Sequence, residues 1–175
     1  VGEFKITPQP KTAPKLFLGG MAPPAIDRAA RIADGFMCTG GIGMDTYVEC
    51  LAANGKSPEE GNIILGCWAI IAEDPEAEAA IVGDHVLYQS NEYIRWGAFG
   101  PPDQTPLFPD SRTAIENGLY ELWDADMAVE KLSGMIEQYP QISDIHFWAQ
   151  FPGESIETGN RRMAYIAEKV LPRLR

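Results

Sequence analysis

Residues 16–41 read LFLGGMAPPAIDRAARIADGFMCTGG, and this stretch decides the fold. It opens with a short apolar run, Leu16 to Leu18, that is closed by Gly19-Gly20, as expected of a buried strand followed by a glycine turn. Two prolines come next and suit the first turn of a helix, where a missing amide donor costs nothing. A second apolar run, Phe36 to Thr39, ends in Gly40-Gly41. The stretch therefore predicts a strand, a helix and a second strand, and both strands end in a diglycine corner.

The rest of the chain continues this alternation of strands and helices. Strand and helix signals outside the first unit predict a helix N-capped by Asp45, a buried strand within 62–72, a helix from Asp74 to about Trp96, a helix over about 124–139, a strand over 144–149 and a last helix over about 159–171. Strands that alternate with helices indicate an α/β fold with a parallel sheet and right-handed crossovers. Four such units form either a small open sheet or half of an eight-unit barrel.

The length and composition limit the possible classes of protein. A chain of 175 residues is expected to form one domain over residues 1–175, with an extended lead-in over 1–15 and a long Pro/Gly-rich loop over 97–112. The formal net charge of −11 repels phosphate backbones, so we expect no nucleic-acid partner. The longest apolar stretch, Leu65 to Ala72, is far shorter than the roughly 20 residues that a membrane span needs, so we expect no membrane partner.

The cysteines and histidines predict no metal or disulfide chemistry. Three cysteines without a CxxC spacing are typical of reduced thiols, which indicates a cytoplasmic protein. Neither histidine has a partner at the spacing of a metal ligand, so we expect no metal site. The chain also begins with Val1 rather than Met, and we expect it to be processed or to be part of a longer protein.

The two diglycine corners are the candidate binding elements. At Gly19-Gly20 a phosphate can approach the backbone closely, and the following helix is expected to supply free amides and a partial positive charge. Thr39 adds a hydroxyl beside Gly40-Gly41, which suits a phosphate or a ring carbonyl. Each corner is equally well explained as a tight turn that binds nothing, and the sequence is not the GxGxxG of dinucleotide sites. The corners belong to neighbouring units, so we expect them to converge at one edge of the sheet.

Three further residues are weaker candidates for a substrate pocket. Met21 follows the first corner, and His146 and Trp148 lie in the last predicted strand. His146 either points into a barrel mouth, where it can exchange a proton, or is a hydrogen-bonded core residue. The aromatic pairs Trp96/Phe99 and Trp148/Phe151 either line an apolar cavity or belong to the core.

Several segments together resemble the luciferase-like monooxygenase superfamily. They are Gly2-Glu3-Phe4, the run from Pro14 to Gly20, the run from Ala29 to Phe36, and the ending with its helix, strand, Pro152-Gly153 turn and last helix. Within the superfamily, residues 35–39 and the last strand are most similar to the deazaflavin branch, which includes F420-dependent glucose-6-phosphate dehydrogenases. The resemblance covers essentially the whole chain.

The resemblance implies a (β/α)8 barrel of which this chain is the C-terminal half, strands five to eight. It implies that the amides of Gly19 and Gly20 hold the phosphate of an F420 or FMN cofactor, and that Thr39 lies near the flavin or the substrate. The family places its catalytic residues in the first half of the barrel, so none is assigned here. The sugar-phosphate enzymes have a lysine where this chain has Ile42, so we do not expect a phosphorylated sugar as substrate.

We therefore expect the full polypeptide to be a flavin- or F420-dependent oxidoreductase or monooxygenase that acts on a small molecule, and this chain alone to be inactive. The alternatives are a non-catalytic half-barrel that binds a flavin or another ligand, and an α/β interaction domain without a ligand. Half of a barrel exposes two strand edges and an apolar face. We therefore expect self-association, or pairing with a missing N-terminal half, through Leu16 to Leu18 and Ile145 to Trp148.

Overall fold

In the computed structural model, residue 8, residues 10–117 and residues 120–174 are described. The chain ends in a π turn (Ile166–Val170) and a 3-10 turn (Leu171–Arg173). The helices and strands before them are β1 (Phe17–Gly19), α1 (Pro23–Ile32), β2 (Gly35–Thr39), α2 (Met44–Ala53), β3 (Ile63–Cys67), β4 (Ala69–Ile71), α3 (Pro75–Arg95), α4 (Ser111–Glu116), β5 (Glu121–Trp123), α5 (Ala125–Gln138), β6 (Ile142–Phe147) and α6 (Ile156–Tyr165).

The strands form two parallel sheets. The main sheet has the order β1-β2-β3-β6, and β4 pairs with β5 in a two-stranded sheet. The predicted α/β class with parallel βα units is therefore confirmed. Across the described ranges the main sheet does not close, because β1 and β6 are its two edges. The assignment to barrel strands five to eight stays a prediction.

The two faces of the main sheet differ in their cover. On one face, Phe36 and Cys38 of β2 pack with Ile63 and Leu65 of β3 and with residues of α1, α2 and α5 in one buried core. Residues in register on the other face carry no such cover, and Met37 there is 42% exposed. Parallel sheets normally have both faces buried. In the described structure, helices therefore cover only one of the two faces of the main sheet.

Two N-cap residues were predicted, Asp45 and Asp74, and the first of them is wrong. Asp74 caps α3 as expected, because its carboxylate accepts a hydrogen bond from the amide of Ala77 at 3.0 Å. Asp45 does not cap α2; the N-cap is Gly43, whose φ of +84° suits glycine. The Asp45 carboxylate instead accepts a hydrogen bond from the Tyr139 hydroxyl at 2.6 Å.

The predicted strand within 62–72 is interrupted. It splits at Trp68 into β3, which belongs to the main sheet, and β4, which pairs with β5. The sequence analysis missed β5, because three residues give no alternation to detect. Ile70 of β4 faces a second hydrophobic core formed with α3, Tyr120 and Phe151.

The boundaries near the termini also differ from the expectations. β6 begins and ends two residues before the predicted strand over 144–149, and α6 begins at Ile156 with Ser155 as its N-cap. Residues 10–16 contain no helix or strand, whereas residues 1–7, with Gly2-Glu3-Phe4, lie outside the described residues. No helix in the described ranges has both the length and the hydropathy that crossing a bilayer requires.

A buried ionic network joins α3, α6 and the turn after β6. The Arg162 side chain is 2% exposed and donates hydrogen bonds to Glu78 at 2.7 Å, to the carbonyl of Ala149 at 2.7 Å and to Glu154. Arg161 donates to the other oxygen of Glu78 at 2.9 Å, but its side chain is 55% exposed. Removing the partner of a buried charge lowers the free energy of unfolding by several kcal/mol, whereas an ion pair with an exposed side chain contributes little to it.

We predict that Arg162→Met lowers the free energy of unfolding by about 3–5 kcal/mol, because it leaves the buried Glu154 carboxylate unpaired and leaves Glu78 with only the exposed Arg161 as a partner. The matched control Arg161→Met removes a neighbouring pair at the surface and is expected to cost less than about 1 kcal/mol. Urea unfolding followed by circular dichroism measures both. Equal losses in the two variants would contradict the network.

Candidate functional site

The two diglycine corners lie side by side at one edge of the main sheet. β1 and β2 are adjacent and parallel, with Gly19 in register with Met37, so both strands end at the same edge. Thr39 and Gly40 follow two and three residues later on β2. The corners at Gly19-Gly20 and at residues 39–41 are therefore neighbours, as the sequence predicts.

The first corner presents unpartnered backbone donors. Within the described ranges, the amides of Gly20 and Met21 make no hydrogen bond to the backbone. Gly20 has a φ of +154°, and a Cβ built there lies 2.6 Å from the Cβ of Ala25, so the corner requires glycine. Met21 follows with 50% of its surface exposed.

The expectation that α1 supplies free amides is wrong. Pro23 and Pro24 occupy its first two positions and have no N–H groups. The next two amides, those of Ala25 and Ile26, both donate to the carbonyl of Ala22, at 2.9 and 3.2 Å. Pro23 and Pro24 thus indicate the start of α1 in the sequence, but they also leave its first two positions without amide donors. What remains for an anion at this corner is the pair of amides before the helix.

The second corner contributes space and a hydroxyl rather than amides. The amide of Gly40 donates to the carbonyl of Gly66 at 2.7 Å, which continues the sheet by one residue. Burial raises the pKa of the Cys38 thiol, and a hydrogen bond from the Gly41 amide offsets part of this effect. A Cβ built at Gly40 meets no atom within 4 Å, so this position borders open space. Thr39 beside it is exposed.

A second element at this edge is an aromatic cavity of about 610 Å³ between α3 and the turn after β6. Trp148, a predicted pocket residue, lines it. His146 does not; it is exposed on the uncovered face of the sheet, in register with Gly66, and borders a groove along β6 and α6 that Trp148 also lines. Met21 lies at the first corner, so the three weaker candidates do not come together in the described structure.

Trp96, Trp148 and Phe151, which the sequence offers as lining of an apolar cavity, do line this one, whereas Phe99 does not and the rest of the α3 wall was not predicted. Tyr88, Tyr93 and Trp96 face it from the helix, together with Gln89 and Glu92. Their spacing is the available signal, because residues at i, i+1, i+4, i+5 and i+8 share one side of a helix. Trp96 is 73% exposed although it is the largest apolar side chain of the helix. Phe99 contacts Tyr93, with ring centroids 6.5 Å apart.

Two of the titratable groups near the corners are buried thiols, Cys38 and Cys67. Burial raises the pKa of the Cys67 thiol to about 12, so it stays protonated at physiological pH. All three cysteines are free. In the part of the chain that the structure describes, no three His, Cys, Asp or Glu residues are placed to hold a metal ion.

Parallel βα units with glycine corners at the carboxyl edge define an α/β protein of the kind that binds ligands at that edge. A family model described as "Luciferase-like monooxygenase" matches residues 2–131, so the chain belongs to the luciferase-like monooxygenase family. No curated protein matches the chain in sequence.

Three solved structures illustrate the likeness in fold. An F420-dependent secondary alcohol dehydrogenase in complex with an F420-acetone adduct has 15% identity and a TM-score of 0.58, over 97% of this chain and 51% of that one. The oxygenating constituent of 3,6-diketocamphane monooxygenase from Pseudomonas putida, in complex with FMN, has 13% identity and a TM-score of 0.60, over 93% and 50%. The F420-dependent tetrahydromethanopterin reductase from Methanopyrus kandleri has 15% identity and a TM-score of 0.53, over 92% and 51%. The chain spans about half the length of each of these structures.

We predict that Gly40→Ala and Gly55→Ala lower the free energy of unfolding by similar amounts, about 1–2 kcal/mol each. Both glycines have positive φ, +56° and +74°, and neither has an atom within 4 Å of an added Cβ. Gly43→Ala is expected to cost more, because its Cβ would lie 2.6 Å from Cδ1 of Ile26. Thermal and urea unfolding measure all three. A much larger loss for Gly40→Ala than for Gly55→Ala would show that the corner is packed rather than open.

Proposed function

We propose that this chain provides the cofactor-phosphate-binding corners of a luciferase-like oxidoreductase or monooxygenase that uses F420 or FMN. The observation that carries the proposal is the pair of unpartnered amides at Gly20 and Met21, beside the open corner at Thr39 and Gly40. Two structures similar in fold hold an F420-acetone adduct and FMN. Both cofactors carry a phosphate, so the same corner suits either.

The residues of the corners fit a phosphate group. Backbone amides bind phosphate oxygens well, and a glycine corner lets those oxygens approach closely. The Thr39 hydroxyl adds a donor that can rotate toward an oxygen. The amides of Asp45 and Thr46, in the first turn of α2, make no backbone hydrogen bond within the described residues and point the same way along the helix axis. The Asp45 carboxylate is held by Tyr139, which limits its repulsion of the anion.

A bound flavin or deazaflavin supplies the redox chemistry of hydride or oxygen reactions. The residues of this chain bind and orient: Gly20 and Met21 donate to the anionic tail, and Thr39 fixes its position. The catalytic groups are assigned to the part of the protein that lies outside this chain.

We also infer a cytoplasmic location from the three free thiols.

The binding experiment compares FMN with riboflavin, which has the same ring but no phosphate. We predict that FMN binds at least about tenfold more tightly, because only FMN has a phosphate for the corner amides. Gly40→Ala is expected to weaken FMN binding by about tenfold, since its methyl group enters the open corner, whereas Gly55→Ala leaves binding unchanged. Flavin fluorescence measures both, and F420 is titrated in parallel.

Two outcomes would contradict the proposal. Equal affinities for FMN and riboflavin would show that the protein binds the ring of the flavin and makes no favourable contact with the phosphate. Equal weakening by Gly40→Ala and Gly55→Ala would assign the effect to general destabilisation, because Gly55 lies at the other end of α2.

We further propose that the uncovered face of the main sheet pairs with another half-barrel, either the N-terminal half of the full protein or, for this chain alone, a second copy. The face is open, β1 and β6 are free edges, and the structures similar in fold are twice as long. Free parallel edges and exposed apolar faces favour association.

We predict that the isolated chain sediments as a dimer at micromolar concentration. Met37→Lys places a charge on the uncovered face and is expected to shift the chain to a monomer. The control is Ile32→Lys, at a side chain that is 57% exposed on α1, which should not change the assembly. A wild-type chain that sediments as a single monomeric species would refute the pairing.

A further inference from the structure

We propose that the cavity between α3 and the turn after β6 binds an uncharged, planar aromatic ligand, which names the substrate class of the proposed enzyme. That the cavity binds such a ligand is argued from the structure alone; that the ligand is a substrate rests on the proposed function. The cavity volume, about 610 Å³, lies in the range of small-molecule sites, and its walls are aromatic with a few polar groups.

The aromatic walls form two facing surfaces. Tyr88, Tyr93 and Trp96 come from one side of α3, and Trp148 and Phe151 come from the turn after β6. These rings are backed by further aromatic contacts, since Trp68 lies 5.7 Å from Tyr93 and 5.1 Å from Trp148, centroid to centroid. Aromatic rings in such walls favour planar π-systems in stacked or edge-to-face geometry. The 73% exposure of Trp96 leaves a face available for that contact.

The turn that forms the second wall is held in place before any ligand binds. The Pro152 carbonyl accepts a hydrogen bond from Nδ1 of His85 at 3.1 Å. The Arg162 guanidinium donates to the Ala149 carbonyl and lies 5.3 Å from the centre of the Phe151 ring. Trp148 is oriented by a hydrogen bond from its Nε1 to Oε1 of Gln89 at 3.3 Å. A site fixed in this way loses little entropy when it binds a rigid planar molecule.

The charges of the cavity select a neutral ligand. Its two carboxylates, Glu92 and Glu154, are each paired with an arginine, Arg95 and Arg162. Because each carboxylate is neutralised by its arginine, the cavity has no unpaired charge to compensate an ionic ligand for the water that it loses on binding. The exposed Gln150 offers hydrogen bonds to a hydroxyl or amine of the ligand, whereas the Oε1 of Gln89 is already engaged by Trp148.

The cavity also lies at the correct edge of the sheet for a substrate. Trp148 directly follows β6, and its amide donates to the Cys67 carbonyl at the end of β3 at 3.4 Å. β6 and β2 are separated by one strand, so this end of the cavity is about 10 Å from the second corner along the sheet. A cofactor tail at the corners and a substrate in the cavity would thus share one edge without overlapping.

The experiment is a calorimetric titration of the purified chain with 2-naphthol and with 2-decalol, which has the same fused skeleton without the π-system. We expect 2-naphthol to bind at least about tenfold more tightly than 2-decalol, and 2-naphthoate to bind about tenfold more weakly than 2-naphthol. Trp96→Leu, at a side chain too exposed to support the core, is expected to weaken 2-naphthol by about tenfold. Ile32→Ala, at a remote exposed side chain, should leave it unchanged.

Each contrary result overturns a specific part of the inference. No binding of 2-naphthol refutes the site, equal binding of 2-decalol refutes the aromatic class, and unchanged binding in Trp96→Leu refutes the location. Tighter binding of 2-naphthoate refutes the selection for a neutral ligand. FMN is titrated separately, so loss of FMN binding with retained 2-naphthol binding contradicts the proposed function alone, and the reverse contradicts this inference alone.

Discussion

The need of a parallel sheet for cover on both faces is the constraint on which the rest of the structure depends. Here α1, α2 and α5 bury one face in a continuous core, while the face that carries Met37 remains open. The same arrangement places all four carboxyl ends of the main strands at one edge, where both glycine corners lie. The proposed association and the proposed ligand binding therefore both depend on this one arrangement of the main sheet.

The two corners resemble each other in sequence but differ in what they offer. At Gly20 the chain has left the sheet, so its amide and that of Met21 are without backbone partners in the described structure. At Gly40 the chain extends the ladder by one more hydrogen bond, to Gly66. One diglycine therefore provides donors and the other provides room. A phosphate that contacts both corners would accept hydrogen bonds at Gly20 and would occupy the open space at Gly40.

The fold class could be predicted from the sequence because strand and helix signals alternate strongly, as in α1 with its two prolines and its face of Ile26, Ala29 and Ala30. The N-cap of α2 and the break at Trp68 could not, because both depend on local backbone geometry and on pairing partners distant in the chain. The loss of donors at α1 was foreseeable from Pro23 and Pro24, since proline has no N–H. The aromatic cavity could be predicted only in part: Trp96, Trp148 and Phe151 were candidates, but the sequence could not show that residues more than fifty positions apart share one cavity.

The break at Trp68 also separates two hydrophobic cores. Ala69 and Ile71 of β4 face the core of the main sheet, whereas Ile70 between them faces the core under α3. A substitution on the buried face of α3 therefore disturbs the smaller core, whereas the glycine corners rest on the larger one. The proposed ligand cavity and the proposed phosphate corners are thus supported by different cores, so one can change in sequence while the other is kept.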